Sequence, residues 1–294
     1  KIKKPNFEKS MQGIENIVQA DNKKKVGLAL SSGIDSSSLA YLFKKKNISF
    51  HSMSLYNSYN KTSEAKVAKS TMKKHKINVE LVSFSDKEMI KNFTKVITSL
   101  DEPIADLASS NYYKLMNHAK KKKLKVLIFG HGVDELFWGY PDVIENLKIS
   151  NVLISQKNHI IKKISIFLLL MQRDLSLRGL LRWALRRYFE IPYLIKVFSQ
   201  YEKENFFPFL NNNPTAEYYD DEISKIFTYK FKKNLAFTHP SKLLFSKYKI
   251  NQKNIDTSFF HILMKTYLRE NGLMQLDKLS MSMSIEARTP YVDF

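Results

Sequence analysis

At 294 residues the chain can bury a sizeable core and hold one large domain or two small ones. With 44% hydrophobic and 13% aromatic residues it is too apolar for a disordered protein, and its longest apolar run, Ile164 to Met171, is far too short to span a bilayer. The absence of cysteine excludes disulfides, thiolate nucleophiles and cysteine-based zinc sites, and the formal charge of +20 reflects dispersed lysine runs more simply than a dedicated anionic partner.

In chain order, Met11, Ile14, Ile17 and Val18 recur at helical spacing after Pro5, which predicts an amphipathic helix over residues 1–22. Val26 to Leu30 is a short apolar run of the kind a buried parallel strand carries. Ser31 to Ser38 reads as a turn, and Leu39 to Phe43 as helix. The cycle repeats: strand over Ile48 to Leu55, helix over Glu64 to His75, strand over Ile77 to Phe84, helix over Asp86 to Leu100. A helix over Asn111 to Lys122, a strand over Leu124 to Phe129 and a helix opening at Asp134 complete the series. Strands alternating with helices predict an α/β fold with a doubly wound parallel sheet over residues 23–145, its ligand site at the carboxyl ends of the strands. Strand signals stop near residue 145, so residues 146–294 are expected to be helical, with Pro192, Pro208, Pro214 and Pro240 dividing short helices. The sequence starts at Lys1, and Pro290 to Phe294 reads as the middle of an element, so a fragment cut at both ends is expected.

Three motifs carry chemistry. Ser31-Ser32-Gly33-Ile34-Asp35-Ser36-Ser37 lies between a strand and a helix. Small residues let backbone N–H groups approach an oxyanion, the helix start adds positive potential, and the hydroxyls add donors. Asp35 would repel a bare phosphate, so Mg²⁺ shared with the phosphates is expected. No lysine ends the loop, so it is not a Walker A sequence; a polar, N-capped turn is the plainer alternative. Gly130-His131-Gly132-Val133-Asp134-Glu135-Leu136-Phe137-Trp138-Gly139-Tyr140 also follows a strand and opens a helix. Its glycines permit close approach to a nucleotide, and Asp134 is a candidate second magnesium carboxylate; a glycine turn with two acids at a helix start is the alternative. The third motif runs from Asp277 to Asp293 and contains Lys278, a candidate for neutralising charge on a leaving pyrophosphate. Its methionines read as packing residues.

These three motifs, in this order, resemble the synthetase domain of the asparagine synthetase family, an ATP-pyrophosphatase with a PP-loop and an adenine nucleotide alpha hydrolase-like fold. Leu100-Asp101-Glu102-Pro103-Ile104-Ala105-Asp106 is similar to a fourth family stretch. The resemblance covers essentially the whole chain, least clearly between residues 145 and 255. It implies that Ser31, Ser32, Gly33, Asp35 and Ser36 bind the pyrophosphate of ATP, that Leu30, Met53 and Gly130 flank the adenosine, and that Asp35 and Asp134 hold Mg²⁺. Lys278 and His131 are the implied catalytic residues. The implied reaction adenylates a carboxylate, with aspartate the first expectation, releases pyrophosphate, and lets ammonia attack the acyl-adenylate. Ammonia would come from glutamine through a glutaminase domain missing from this chain or through a separate subunit. A cytoplasmic location is expected, no membrane or nucleic-acid partner is, and a homodimer stays open.

Two positions depart from the family pattern. Ser32 stands where the family usually has Gly, which a serine tolerates only if φ is not positive. His131 stands where asparagine-forming members commonly carry an acid; with an ordinary pKa near ~6.5 it is a candidate general base, or the mark of a different acid. The competing readings are lactam formation, peptide cyclisation or sugar-acid amidation, a tRNA-modifying enzyme of the same fold, and a nucleotide-binding protein without catalysis.

Overall fold

The computed structural model describes residues 25–57, 64–102, 106–141, 143–144, 147–148, 151–152, 161, 228–234 and 254–292. The helix expected over 1–22, most of the helical stretch expected between residues 146 and 253, and the four prolines that divide the C-terminal half lie outside these residues.

Five strands form one parallel sheet: β1 Val26–Ala29, β2 His51–Asn57, β3 Val79–Phe84, β4 Val126–Ile128 and β5 Glu286–Arg288. Their order is β3-β2-β1-β4-β5. Helices α1 Ile34–Lys45, α2 Glu64–Lys74, α3 Asp86–Leu100, α4 Ala108–Lys121 and α5 Val133–Phe137 follow β1 to β4. Toward the C-terminus come α6 Tyr229–Asn234, α7 Ile255–Leu263, a π-helical stretch Met264–Leu273, and α8 Met274–Ser282.

The sheet is apolar because both faces are covered. Leu28, Val126 and Ile128 point to one side, where Leu39, Phe43, Ala68 and Met72 of α1 and α2 close a core. Met53, Leu127 and Phe129 point to the other, against Leu100, Met116, Leu276 and Leu279 of α3, α4 and α8. Gly27 makes room for this second layer: a Cβ there would stand 2.9 Å from Cδ1 of Leu127 and 2.8 Å from that of Leu124. The doubly wound expectation therefore holds, with one addition. Strand β5 pairs with β4 through Glu286↔Val126 and Arg288↔Ile128, where only helix was expected. Three residues are too few for a period-two pattern to show, and Glu286 and Arg288 are not apolar.

The strand order places the ligand crevice. From β1 the chain steps outward to β2 and β3, then returns to the opposite flank of β1 as β4. The order reverses between β1 and β4, so loops leaving their carboxyl ends diverge and open a crevice there.

The chain divides into two compact units. One comprises residues 1–134 and 265–294 and holds the whole sheet. In the other, residues 135–264, α7 buries Ile255, Phe259, Ile262 and Leu263, its N-cap Asn254 accepts the N–H of Thr257, and Tyr140 donates to the buried Glu135 over 2.7 Å.

Candidate active site

The first loop of the crevice begins at Leu30, whose N–H donates to the carbonyl of Met53 over 2.8 Å, tying β1 to β2. The Ser31 N–H donates to Oγ of Ser36 at 3.0 Å, the two hydroxyls lie 3.0 Å apart, and the Gly33 N–H donates to Oγ of Ser31 at 3.1 Å. These bonds fold the loop back onto the start of α1. That helix begins at Ile34, five residues before the start at Leu39 expected from the sequence. Asp35 and Ser36 are thus first-turn helical residues. The N-cap, Gly33, offers no side-chain hydrogen bond, so the N-terminus keeps the positive potential that favours an oxyanion.

Ser32 does not belong to the residues with positive φ, so the backbone here does not need glycine. Its hydroxyl instead donates to Oε1 of Glu64, at the start of α2, over 3.1 Å.

The second loop leaves β4, held to β5 by the Phe129 N–H donating to the Arg288 carbonyl at 2.9 Å. Gly130 lies directly against the first loop. A Cβ built on it would stand 2.9 Å from the Ser36 nitrogen and 3.2 Å from both the carbonyl carbon and Cβ of Asp35. The two loops therefore meet, backbone to backbone, where the topology puts the crevice. Gly132 takes φ +103, a conformation that only glycine adopts freely, and Val292 occupies the space a side chain would need. Asp134 follows on α5; it and Asp35 are both half-buried.

Tyr291, near the end of the third motif, completes the floor. Its hydroxyl donates to the Asp35 carbonyl at 3.1 Å and lies 2.6 Å from Oγ of Ser38. Burial, and secondarily the Asp35 charge, push the phenol's pKa up against the opposing Ser38 bond, so it stays protonated. No role was read for this tyrosine or for Glu64 from the sequence. Tyr291 lies inside the third motif; Glu64 carries no local sequence signal.

His131 sits in an aromatic clamp. Its ring centroid lies 5.5 Å from that of Tyr112 and 5.8 Å from that of Phe129, both edge-on, and Tyr112 lies 6.0 Å from Phe129. Nε2 of His131 is 2.9 Å from Oη of Tyr112. Gly272, in the π-helical stretch, backs the ring: a Cβ there would be 3.6 Å from Cδ2 of His131. Burial lowers the imidazole pKa to about 4. The ordinary value near ~6.5 expected from sequence is thus corrected: the ring is uncharged at neutral pH and well below it.

Lys278 lies elsewhere. Its ammonium donates to the Leu100 carbonyl at 2.6 Å and to Oε1 of Glu102 at 3.1 Å. It is bound to the similar stretch at 100–106 rather than to the serine loop. Asn271, two turns earlier on the same continuous helix, donates to Oδ2 of Asp106 at 2.8 Å and accepts from Gln275. Leu30 and Met53 are both buried, at 5% and 0% exposure. The Met53 side chain is committed to the core, and its carbonyl to the Leu30 N–H.

Hydroxyls at Ser31 and Ser36, a helix N-terminus and glycine-permitted close approach suit a polyphosphate. Among the described residues no group of three or more histidine, aspartate or glutamate side chains could hold a metal by itself. One or two carboxylates suit magnesium, which takes its other ligands from phosphate and water.

The asparagine synthase family model matches residues 17–294. The glutamine-hydrolyzing asparagine synthetase 1 of Bacillus subtilis (strain 168) is 26% identical over 271 residues, covering 91% of this chain and 39% of the relative. The chain thus spans about two fifths of that relative's length. Among solved structures, the U34-tRNA thiolase NcsA from Methanococcus maripaludis with its [4Fe-4S] cluster is similar at 15% identity and a TM-score of 0.33, covering 93% of this chain and 86% of that one.

Proposed function

The chain belongs to the asparagine synthase family, and from that premise we propose that it is an ATP-dependent ligase that adenylates a carboxylate and converts it to an amide. The observation that carries the reading is the contact of Gly130 with Asp35 and Ser36. It joins the serine loop and the glycine loop at the one place where a doubly wound sheet takes a nucleotide.

In this reading Ser31, Ser32, Gly33 and Ser36 hold the β- and γ-phosphates of ATP against the α1 N-terminus. The main chain of Leu30, Met53 and Gly130 borders the adenosine. Asp35 and Asp134 would hold a magnesium ion, which neutralises phosphate charge when bound. The substrate carboxylate attacks the α-phosphorus and pyrophosphate departs. Fixed donors aimed at that charge contribute most of the rate, because they need no reorganisation as the charge develops. Lys278 is the cation proposed for the leaving pyrophosphate. An exposed ion pair such as that with Glu102 contributes ~0–1 kcal/mol, so a polyanion can outcompete it. Ammonia then attacks the acyl carbon, the C–O bond to AMP breaks, and His131 takes a proton from the attacking nitrogen.

Aspartate is the acid proposed first. Lactam-forming, peptide-cyclising and sugar-acid substrates share the first half-reaction and differ only in what fills the acceptor pocket. Release of pyrophosphate from ATP and magnesium, measured across acids of these classes with ammonium present, tests the reading. Acid-dependent release is expected. Release by none of them, from a protein that binds ATP, would overturn it.

A further inference from the structure

Outside the proposed phosphate machinery, Tyr112 and His131 meet in a polar contact set within an aromatic cluster. Tyr112 sits on the first turns of α4, fixed by its buried neighbours Tyr113, Leu115 and Met116. Its ring and that of Phe129 hold the imidazole edge-on, and its hydroxyl meets Nε2 at 2.9 Å. The imidazole therefore has little freedom to turn, and one of its two nitrogens is spoken for. Whatever chemistry His131 performs falls to the other, Nδ1.

A neutral imidazole carries one proton, and its place decides what the free nitrogen can do. If Nε2 carries it and donates to Oη of Tyr112, Nδ1 has a bare lone pair and acts as a base. If Nδ1 carries it, the free edge is a donor and cannot accept. In hydrolytic triads a carboxylate selects the working tautomer and also raises the basicity of the ring. A phenol oxygen can accept the Nε2 proton without adding charge, which suits a ring that burial already keeps neutral.

We propose that Tyr112 is a positioning residue that holds His131 in its Nε2–H tautomer, so that Nδ1 is the base of the amide-forming step. This rests on the ligase reading above. In that step the attacking amine nitrogen bonds to the acyl carbon, and AMP leaves with the electron pair of the broken C–O bond. The proton lost from nitrogen goes to Nδ1. The Nε2 proton stays in its bond to Oη, which stabilises the imidazolium as it forms. Adenylation uses no base at this position, so Tyr112 should not affect it.

The tautomer is read directly, without substrate, from ¹⁵N spectra of the histidine-labelled protein. The His131 signals are assigned by their loss in His131→Gln, which is needed because the chain has 7 histidines. The wild type should show a protonated Nε2 and a bare Nδ1, and Tyr112→Phe a mixture of both forms. In parallel, ATP–pyrophosphate exchange with aspartate should be unchanged in Tyr112→Phe. Amide formation from ammonium should fall about tenfold or more, a part of the ~10²–10⁴-fold that a general base contributes, because a mixed tautomer keeps some of the active form. A wild-type ring protonated on Nδ1, or a tautomer unmoved by Tyr112→Phe, overturns the proposal. Equal loss of both half-reactions in Tyr112→Phe also overturns it, because a structural role would act on both. If His131→Gln itself keeps full amide formation, Nδ1 is not the base and the proposal is overturned, while the ligase reading, which rests on acid-dependent pyrophosphate release, still stands.

Discussion

Two residues carry consequences that a single substitution exposes. Gly130 has no side chain because the Asp35–Ser36 backbone occupies the space a Cβ would need. Gly130→Ala meets main chain rather than a flexible side-chain end, so something rigid must shift. Such overpacking typically costs ~1–3 kcal/mol, and here the shift falls on the proposed phosphate loop. ATP affinity, measured by calorimetry, should drop at least tenfold while circular dichroism still reports a folded chain. His131 sets a pH window. With its pKa lowered to about 4, the ring remains available as a base through mildly acidic pH, so amide formation referred to the free ammonia present should show no break near pH 6.5. His131→Gln should retain exchange and lose amide formation, at every pH where the wild type works. The linked stability effect has the sign of a depressed histidine. Native stability is full above the unfolded value of ~6.5 and declines as pH falls toward about 4, because the unfolded ring takes the proton first. His131→Gln should flatten that part of the curve. The motif residues were legible at this scale because small residues and acids between a strand and a helix have a mechanism. Tyr112 and Glu64 were not, since a tyrosine or glutamate on an amphipathic helix carries no local sign of what it touches.

Among elements, the helix running through the π-helical stretch into α8 fastens the segment at 100–106 twice. Asn271 holds Asp106, and Lys278 holds the Leu100 carbonyl and Glu102. Lys278→Ala should slow adenylation by about 10²-fold, the scale of one lost preorganised electrostatic group, with a smaller change in ATP affinity. Stopped-flow measurement of the first half-reaction separates the two; weakened affinity with normal turnover would contradict the role. A second polar hub lies at the amino edge of the sheet, where Glu80 of β3 meets His51 at 2.5 Å, Lys122 at 3.0 Å and His118 at 3.1 Å. Burial acts to raise the carboxyl pKa, but the Lys122 and His51 bonds and the His118 and Lys122 charges outweigh it and hold it at about 2. Its contribution is therefore present above the unfolded value of ~4.3 and lost as pH falls through about 2. Glu80→Gln should lower the melting temperature at neutral pH, with the difference closing as the pH approaches 2. The alternation of strand and helix was readable up to β4 because apolar runs and amphipathic helices differ in period. Strand β5 was invisible because its pairing with β4, not its own composition, makes it a strand. Helix α1 began earlier than expected because polar serines fill its first turn and hide the apolar period.

At the scale of the whole molecule, the parallel order β3-β2-β1-β4-β5 does most to position function. It brings residues 31–36 and 130–134, separated by most of the sheet's sequence, to one crevice. The charge of +20 acts over the whole surface; attraction of a polyanion such as RNA through it should weaken steeply with salt, unlike ATP binding in a built site. No helix of the described residues is long and apolar enough to cross a membrane. The central claim is that Asp35 and Asp134 serve one nucleotide site at which a carboxylate is adenylated. The most direct measurement is ATP–pyrophosphate exchange with magnesium, over a panel of acids led by aspartate, in the wild type, Asp35→Asn and Asp134→Asn. Neither substitution touches the core, and the Tyr291 bond to residue 35 is made to its backbone carbonyl, so both variants should fold. The account predicts acid-dependent exchange in the wild type and at least a 10²-fold loss in each variant, the scale of removing a preorganised charge from a phosphoryl-transfer site. Exchange that persists undiminished in either folded variant would contradict it.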